Sequence, residues 1–542
     1  MKANRKLAIA AALLLLSLGA SAQVNNEDTR KGLDAITENV LKSQLGFLAS
    51  DWLEGRETGE KGEYISADYI ASMLQFLGVA PGGDLSAGPA GMYAGAAGMG
   101  SRAGVRERSY FQNFQLTKSM PGELQTMSVV TATQTGSRTT HFNYGIDYSL
   151  RNTTAGFEID APVVFVGYGL RTEGQNDYAK KDVKGKIVLR ISGIPASLRT
   201  EGVSLNQLNA SKDVAARELG AVAVLEVNPE TVVLSSGIEQ KDFFNMSPSE
   251  GRPRTGRPSG SYSIPQTVIQ NQLPRITISV RVANEILEAS GLTLEQYVTG
   301  FGTRQMAQLP EISGKRIRLT STVNTSLINV RNVIGVIEGV KSDEIIVVGA
   351  HYDHMGIGNG YIWNGADDNA SGTVGVMTLA KAVMETGVKP QKTIVFALWT
   401  AEERGLLGSR YWVDNPTVPL EHIKMHINFD MISRYITDDQ PNAVTMTYTA
   451  AYPLFREITE KNMALFNIRL EPDYQPSDNP PGGSDHRSFV AKGIPIMRFK
   501  PGHREEYHTP ADETSTLDWD IMEKVVKISF ANLWDLANTN WK

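Results

Sequence analysis

Apolar residues recur at three- and four-residue intervals from Thr37 to Leu48 and again from Gly62 to Leu77, where Ile65, Tyr69, Ile70, Met73, Leu74 and Leu77 fall on one side of a helix. That period predicts two amphipathic helices on the outside of a domain. Residues 79 to 105 lose all periodicity and are dominated by Gly, Ala and Pro, the texture of a long loop. Short strand-like runs follow at Pro162 to Gly167, Lys186 to Ser192 and Val222 to Val227, with a helix expected from Asp213 to Leu219. They mark residues 158–308 as a separate, smaller domain. Within it, residues 246 to 275 scatter Pro248, Pro253, Pro258 and Pro265 among Gly, Ser and Arg, a flexible excursion.

From Asn329 the chain alternates. Strands are expected at Glu344 to Ala350, Thr393 to Trp399, Ile423 to Phe429 and Ile494 to Phe499, and helices at Ser371 to Glu385, Gly405 to Val413 and Ile521 to Leu536. This order predicts an α/β fold, a three-layer sandwich around a mostly parallel mixed sheet. Ligands of such sheets gather beyond the carboxyl ends of the strands. His351, Ala401-Glu402-Glu403 and Asp430 each end or follow an expected strand, so they should converge at one sheet edge.

Length and composition add boundaries to this picture. A chain of 542 residues exceeds what one core serves, which implies two or more domains. Lys2, Arg5 and Lys6, an apolar run from Leu7 to Leu18 and the small residues Ala20-Ser21-Ala22 form the pattern of a secretory signal peptide over residues 1–22. The run is shorter than the roughly 20 residues a membrane span requires. The expected product is therefore exported, periplasmic or secreted, with no membrane partner once the signal is removed. Net charge is −6, from 53 basic and 59 acidic residues without a basic block, which argues against a nucleic-acid partner. Cysteine is absent, so stability must come from burial, and any metal must be held by imidazole and carboxylate.

Three short motifs carry that chemistry. In GAHYDHMG (349–356) His351 is a candidate metal ligand, and Asp353, two residues on, is placed to accept its other N–H. His354 is a neighbour in the same motif. In NGADDNASG (364–372) two carboxylates enter a small-residue turn before a helix; Asp367 is the candidate to bridge two cations, while Asp368 or Asn369 could simply cap the helix. In WTAEERGLLGS (399–409) the adjacent Glu402 and Glu403 can divide the tasks of proton acceptor and ligand, although a charged helix start would look the same. His422, His426 and His503 are expected to be ordinary surface or core histidines.

Taken in order, HYD, GADDNASG, AEERGLLGS, NFDM and YHTPAD, together with the entry segment LASDWLEGRETGEKGEYISADYI, make the chain resemble the M28 metallopeptidases over residues 37–78 and 329–540. GKIVLRISG followed by AARELGAVAVLEV resembles the protease-associated (PA) domain found inserted in such enzymes. The resemblance implies a zinc exopeptidase fold in two pieces, 23–157 and 309–542, around a PA-like insert at 158–308. It implies two zinc ions per chain, one on His351 and Asp430, the other on Glu403 and His508, bridged by Asp367, with a cis peptide between Asp367 and Asp368. Glu402 would be the general base that activates water between the metals, and Tyr507 would hydrogen-bond the oxyanion. His486, beside Asp485, competes with His508 for the fifth ligand place. The implied activity is aminopeptidase action on peptides. A glutamate-carboxypeptidase type of enzyme, a mono-zinc cyclase and a non-catalytic binding protein on the same fold are the alternatives.

Overall fold

The computed structural model of the chain describes residues 25–85, 107–151, 154–172, 175–195, 205–230, 260–265, 273–300, 312–358, 360–502 and 504–541. The expected signal peptide, most of the Gly/Ala/Pro loop, most of the excursion at 246–275 and His503 lie outside these residues. Among the described residues no helix is long and apolar enough to cross a membrane.

The chain divides into two compact units, one formed by the residues up to Phe114 together with those from Asn329 onward, the other by Gln115–Ile328. The boundaries expected at 157/158 and 308/309 both fall inside the second unit. Each actual division lies within a long strand, Phe111–Thr133 or Lys315–Ile337. A strand that runs on through a domain boundary leaves no Gly- or Pro-rich punctuation for a sequence reading to detect.

In chain order, the first unit begins with helices α1 (Asn26–Asp34), α2 (Glu38–Leu48) and α3 (Lys61–Phe76). Asn25 and Thr37 start α1 and α2 by accepting the N–H groups of Glu27 and Val40, the usual task of a polar residue at a helix N-terminus. The second unit contains β1 (Tyr148–Arg151), β2 (Phe157–Phe165), β3 (Ile187–Ile191), α4 (Leu205–Glu218), β4 (Ala223–Val227), β5 (Arg275–Ile278) and α5 (Val280–Leu287). Its β2, β3, β4 and β5 lie side by side in parallel, and β1 closes the edge antiparallel to β5. Helix α4 starts well before the expected Asp213, because its first turns are rich in Asn, Gln and Ser, which weaken the helical signal in the sequence.

Strand β6 (Lys315–Ile337) leads back into the first unit, followed by β7 (Lys341–His351), α6 (Gly372–Glu385), β8 (Lys392–Trp399), α7 (Leu407–Asp414), β9 (Ile423–Asn428), β10 (Ala443–Tyr448), α8 (Leu454–Phe466), β11 (Glu471–Pro476), β12 (Ile496–Lys500) and α9 (Trp519–Asn538). Their order across the sheet is β11-β10-β12-β9-β7-β8-β6. Pairs β8/β7, β7/β9 and β9/β12 are parallel, and β6 and β10 run antiparallel to their inner neighbours. The mostly parallel mixed sheet of the sequence reading is therefore present.

Alternation along β7 builds the three layers. Ile346 and Val348 point into a core shared with α1, α2, α3, α6 and α9, while Ile345 and Val347 point to the opposite face, against Trp412 of α7 and Phe489. Both faces are covered, so the strand reads as a continuous apolar run. The parallel strands β7, β8 and β9 end in His351, Trp399 and Asn428, so the residues at these ends or just beyond them gather at one edge of the sheet.

Candidate metal centre

At that edge the side chains of His351, Asp368, Glu402, Glu403, Asp430 and His508 line a cleft of about 510 Å³. His351 Nε2 lies 3.3 Å from Asp368 Oδ1 and 3.8 Å from Asp430 Oδ1. The other oxygen of Asp368, Oδ2, is 3.0 Å from His508 Nε2, which is itself 3.3 Å from Glu403 Oε1. Asp368 thus presents one oxygen to each of two donor groups. His351, Asp368 and Asp430 form one group spaced to hold a cation, and His354, Asp368 and Glu403 form the other.

This corrects the sequence reading at Asp367. Its Oδ1 accepts from the Ser433 N–H at 3.0 Å, the Ser433 hydroxyl at 2.7 Å and the Ser371 hydroxyl at 3.4 Å, away from the cluster. Asp368 takes the shared position, and the cis peptide lies between Asp368 and Asn369, one bond later than expected. Asn369 meanwhile accepts the Gly372 N–H at the start of α6. Local spacing in DDNAS cannot separate three consecutive polar residues; Asp512 does so. Its two carboxylate oxygens accept the backbone N–H groups of Asp367 and Asp368, at 2.8 and 3.0 Å. Gly365 opens this turn at φ 56°, where a Cβ would lie 2.1 Å from the Asp368 carbonyl oxygen. Only glycine fits that close approach.

Asp353 supports the site in a different manner from that expected. The acceptor nearest His351 Nδ1 is the Asp353 backbone carbonyl at 3.1 Å, with the carboxylate 3.9 Å away. The carboxylate instead accepts the Glu402 N–H and the Thr58 hydroxyl, both at 2.9 Å. Asp353 therefore fixes the backbone that carries Glu402. His354 is fully buried, with Nδ1 at 2.9 Å from Glu403 Oε1, the same oxygen that His508 Nε2 faces at 3.3 Å, so the two imidazoles compete for the second group. His486 faces away from the cluster: its Nε2 lies 3.1 Å from the Pro481 carbonyl oxygen and its Nδ1 3.3 Å from Arg498 Nη1. His426 stacks on Phe489 within the core, and Tyr507 stacks on His508 beside the cleft.

Ala401, Met431 and His508 all have positive φ. They stand just before Glu402, just after Asp430 and at a cluster residue itself. Non-glycine residues in this region are strained, and strain of this kind collects where side chains must be aimed. Nothing local in the sequence marks Arg56, which lies within the N-terminal segment LASDWLEGRETGEKGEYISADYI. This buried guanidinium donates to the carbonyls of Leu48, Tyr352, Asn364 and Gly365, tying both ligand-bearing turns to the N-terminal segment. No local period marks a role that depends on carbonyls about 300 residues away.

The electrostatics of the cluster call for cations. Burial alone would neutralise His508, yet Glu403 and Asp368 hold its imidazolium up to about 10. His351 is likewise pushed up against burial by Glu402, Asp368 and Asp430. Burial raises the Glu402 carboxyl well above the usual range; His351 opposes this, and Glu403, Asp485 and Asp430 reinforce it. Four carboxylates crowded around the imidazoles of His351, His354 and His508 fit divalent cations, and this nitrogen and oxygen donor set suits zinc.

Behind the cleft, Glu63 accepts from the Thr400 hydroxyl and the Gly59 N–H. Burial and the nearby Asp353 charge hold its carboxyl up to about 8, against an ordinary value of 4.5. The folded chain keeps a proton that the unfolded chain releases near 4.5, so stability should fall as pH rises from about 4.5 towards about 8. At about 1.4 kcal/mol per pKa unit, the loss should reach several kcal/mol. Glu63→Gln should flatten that slope in urea unfolding of chelator-treated protein between pH 5 and 8. An unchanged slope would remove Glu63 as its source.

Fold and site together define an α/β protein with a carboxylate- and imidazole-rich candidate metal centre at the carboxyl edge of its sheet. Residues 332–533 match the sequence model of Peptidase family M28. Leucine aminopeptidase 2 of Trichophyton equinum is 35% identical over 170 residues, covering 30% of this chain and 32% of the relative. The chain thus spans about a third of the length of that relative. A glutamate carboxypeptidase 2 homolog of Caenorhabditis elegans is 25% identical over 438 residues, 70% of this chain and 54% of that protein. Two solved structures share the fold across 94% of this chain and 97% of theirs. They are an aminopeptidase from Aneurinibacillus sp. strain AM-1, at TM-score 0.59 and 17% identity, and a zinc aminopeptidase from Bacillus subtilis, at 0.56 and 19%.

Proposed function

We propose that the chain is an exported two-zinc aminopeptidase that removes N-terminal residues from peptides. The observation that carries this reading is the single carboxylate of Asp368 turned to both donor groups, with Glu402 beside them. His351 and Asp430 would hold one zinc, Glu403 and His508 the other, and Asp368 would join them. Zinc held there would supply Lewis acidity to a peptide carbonyl and would acidify a nearby water. Glu402 takes the proton of the attacking water and hands it to the leaving amine, a role suited to a carboxyl whose basicity is raised by burial. The Tyr507 phenol, kept protonated by burial and by the nearby carboxylates Asp368 and Glu403, donates to the oxyanion. Export rests on the signal pattern of residues 1–22. Residues 158–308 are read as a PA-like insert.

The test combines metal content of the purified protein with a panel of N-terminally free, N-terminally blocked and C-terminal-glutamate peptides. About two zinc ions per chain are expected, with cleavage of free N-termini only and loss of turnover on chelation, restored by zinc. Cleavage of blocked peptides ending in glutamate would move the reading to a carboxypeptidase, which the match to the glutamate carboxypeptidase 2 homolog favours as the second possibility. A protein that stays metal-free and inactive after zinc addition would be a binding module.

A further inference from the structure

On β12, Arg498 and Lys500 are two residues apart, so both side chains leave the same face of the strand. Both line the cleft beside Asp430. Every acidic residue lining that cleft, Asp368, Glu402, Glu403 and Asp430, already belongs to the cluster described above. Arg498 forms no ion pair among the described residues; its one side-chain hydrogen bond runs from Nη1 to His486 Nδ1 at 3.3 Å. The opposing wall leaves room beside it: Gly482 has φ 108°, and a Cβ there would lie 3.2 Å from Arg498 Nη1, while a Cβ on Gly483 would meet nothing within 4 Å.

A guanidinium withdrawn from water with no carboxylate at ion-pair distance is costly, the Asp430 charge across the cleft offsets only part of that cost, and the fork of N–H donors it presents matches a carboxylate. A lysine on the same strand face adds a second positive charge. We propose that Arg498 and Lys500 form a subsite for a carboxylate of the peptide substrate, so that the centre acts preferentially on peptides with an anionic group next to the scissile bond. This rests on the peptidase reading of the neighbouring cluster. The carboxylate can come from an N-terminal Asp or Glu side chain or from the α-carboxylate of a dipeptide, and the two sources are separable by capping.

The test uses the zinc-loaded full chain and three substrates: Leu-Leu-amide, Glu-Leu-amide and Leu-Leu with a free carboxyl terminus. One of the two carboxylate-bearing peptides should exceed the neutral amide in kcat/KM by at least about tenfold, the scale of a charge-assisted hydrogen bond. The one that does so identifies the source. That ratio should collapse towards one in Arg498→Gln and in Lys500→Met, and Arg498→Lys should retain part of it. Calorimetry on Glu402→Gln protein should show glutamate, or leucine, binding tighter than its amide, with the difference lost in the Arg498→Gln double variant. Equal kcat/KM across the panel, or a preference that survives Arg498→Gln, would overturn the subsite. Failure to cleave any of the three would count against the peptidase reading alone, and the calorimetric difference would still decide whether the subsite exists.

Discussion

Glu402→Gln is expected to lower kcat by about two to four orders of magnitude, the range over which a positioned general base accelerates proton transfer. KM for peptides with a free N-terminus and the zinc content should stay near those of the unaltered protein. The separation follows from the geometry. Glu402 Oε2 lies 4.0 Å from His351 Nε2, at the outer limit of the cluster, whereas Asp368 and Asp430 approach that imidazole more closely. The Glu402 backbone is held by Asp353 through its N–H, an anchor that glutamine retains. The amide keeps the shape of the side chain and loses only the capacity to accept a proton. Inductively coupled plasma analysis alongside steady-state kinetics separates the effects: if metal content fell in step with kcat, Glu402 would be a ligand and another group the base.

The second large effect should divide two adjacent carboxylates. Asp368→Ala removes the oxygens that face both donor groups, so the purified protein should lose most of both metals and essentially all turnover. Its metal-free form should also lose stability, because the carboxylate that pairs with the His351 and His508 imidazoles is gone, so metal content is the readout that marks this variant. Asp367→Ala should keep most of its metal and lose stability. Two donors, the Ser433 N–H and the Ser433 hydroxyl, would lose their acceptor inside the fold, while the Ser371 hydroxyl keeps the Asp367 carbonyl oxygen at 2.7 Å. Each unsatisfied buried group costs about 1–3 kcal/mol, enough to lower the melting temperature of the metal-free protein by several degrees. Metal titration and thermal melts of the two variants, side by side, check this pairing. A stable, metal-depleted Asp367→Ala together with a metal-replete Asp368→Ala would restore the bridging place to Asp367.

The sequence by itself determined a great deal here. Continuous apolar runs at 345–350 and 393–399 specified buried parallel strands, because a strand covered on both faces has no polar alternation. The helical period and the strand–helix alternation then followed, and with them the expectation that His351, Glu402, Glu403 and Asp430 meet at one edge of the sheet. His508, more than 70 residues further along than Asp430, came from a matched motif and not from any period.

Tertiary structure alone decided the rest, wherever the deciding partner was remote in the chain. Which of Asp367, Asp368 and Asn369 turns to the cluster depends on Asp512, Ser433 and Phe429, each at least 60 residues away. His486 was separated from His508 by a carbonyl and a guanidinium that engage it on the far side of the cleft. Arg498 and Lys500 read in the sequence as ordinary alternation on a strand, and their meaning comes from the charges across the cleft. Local patterns encode periodic burial, which each residue reports through its own polarity; the aim of a carboxylate or a guanidinium is set by hydrogen bonds and charges that only the folded chain brings near.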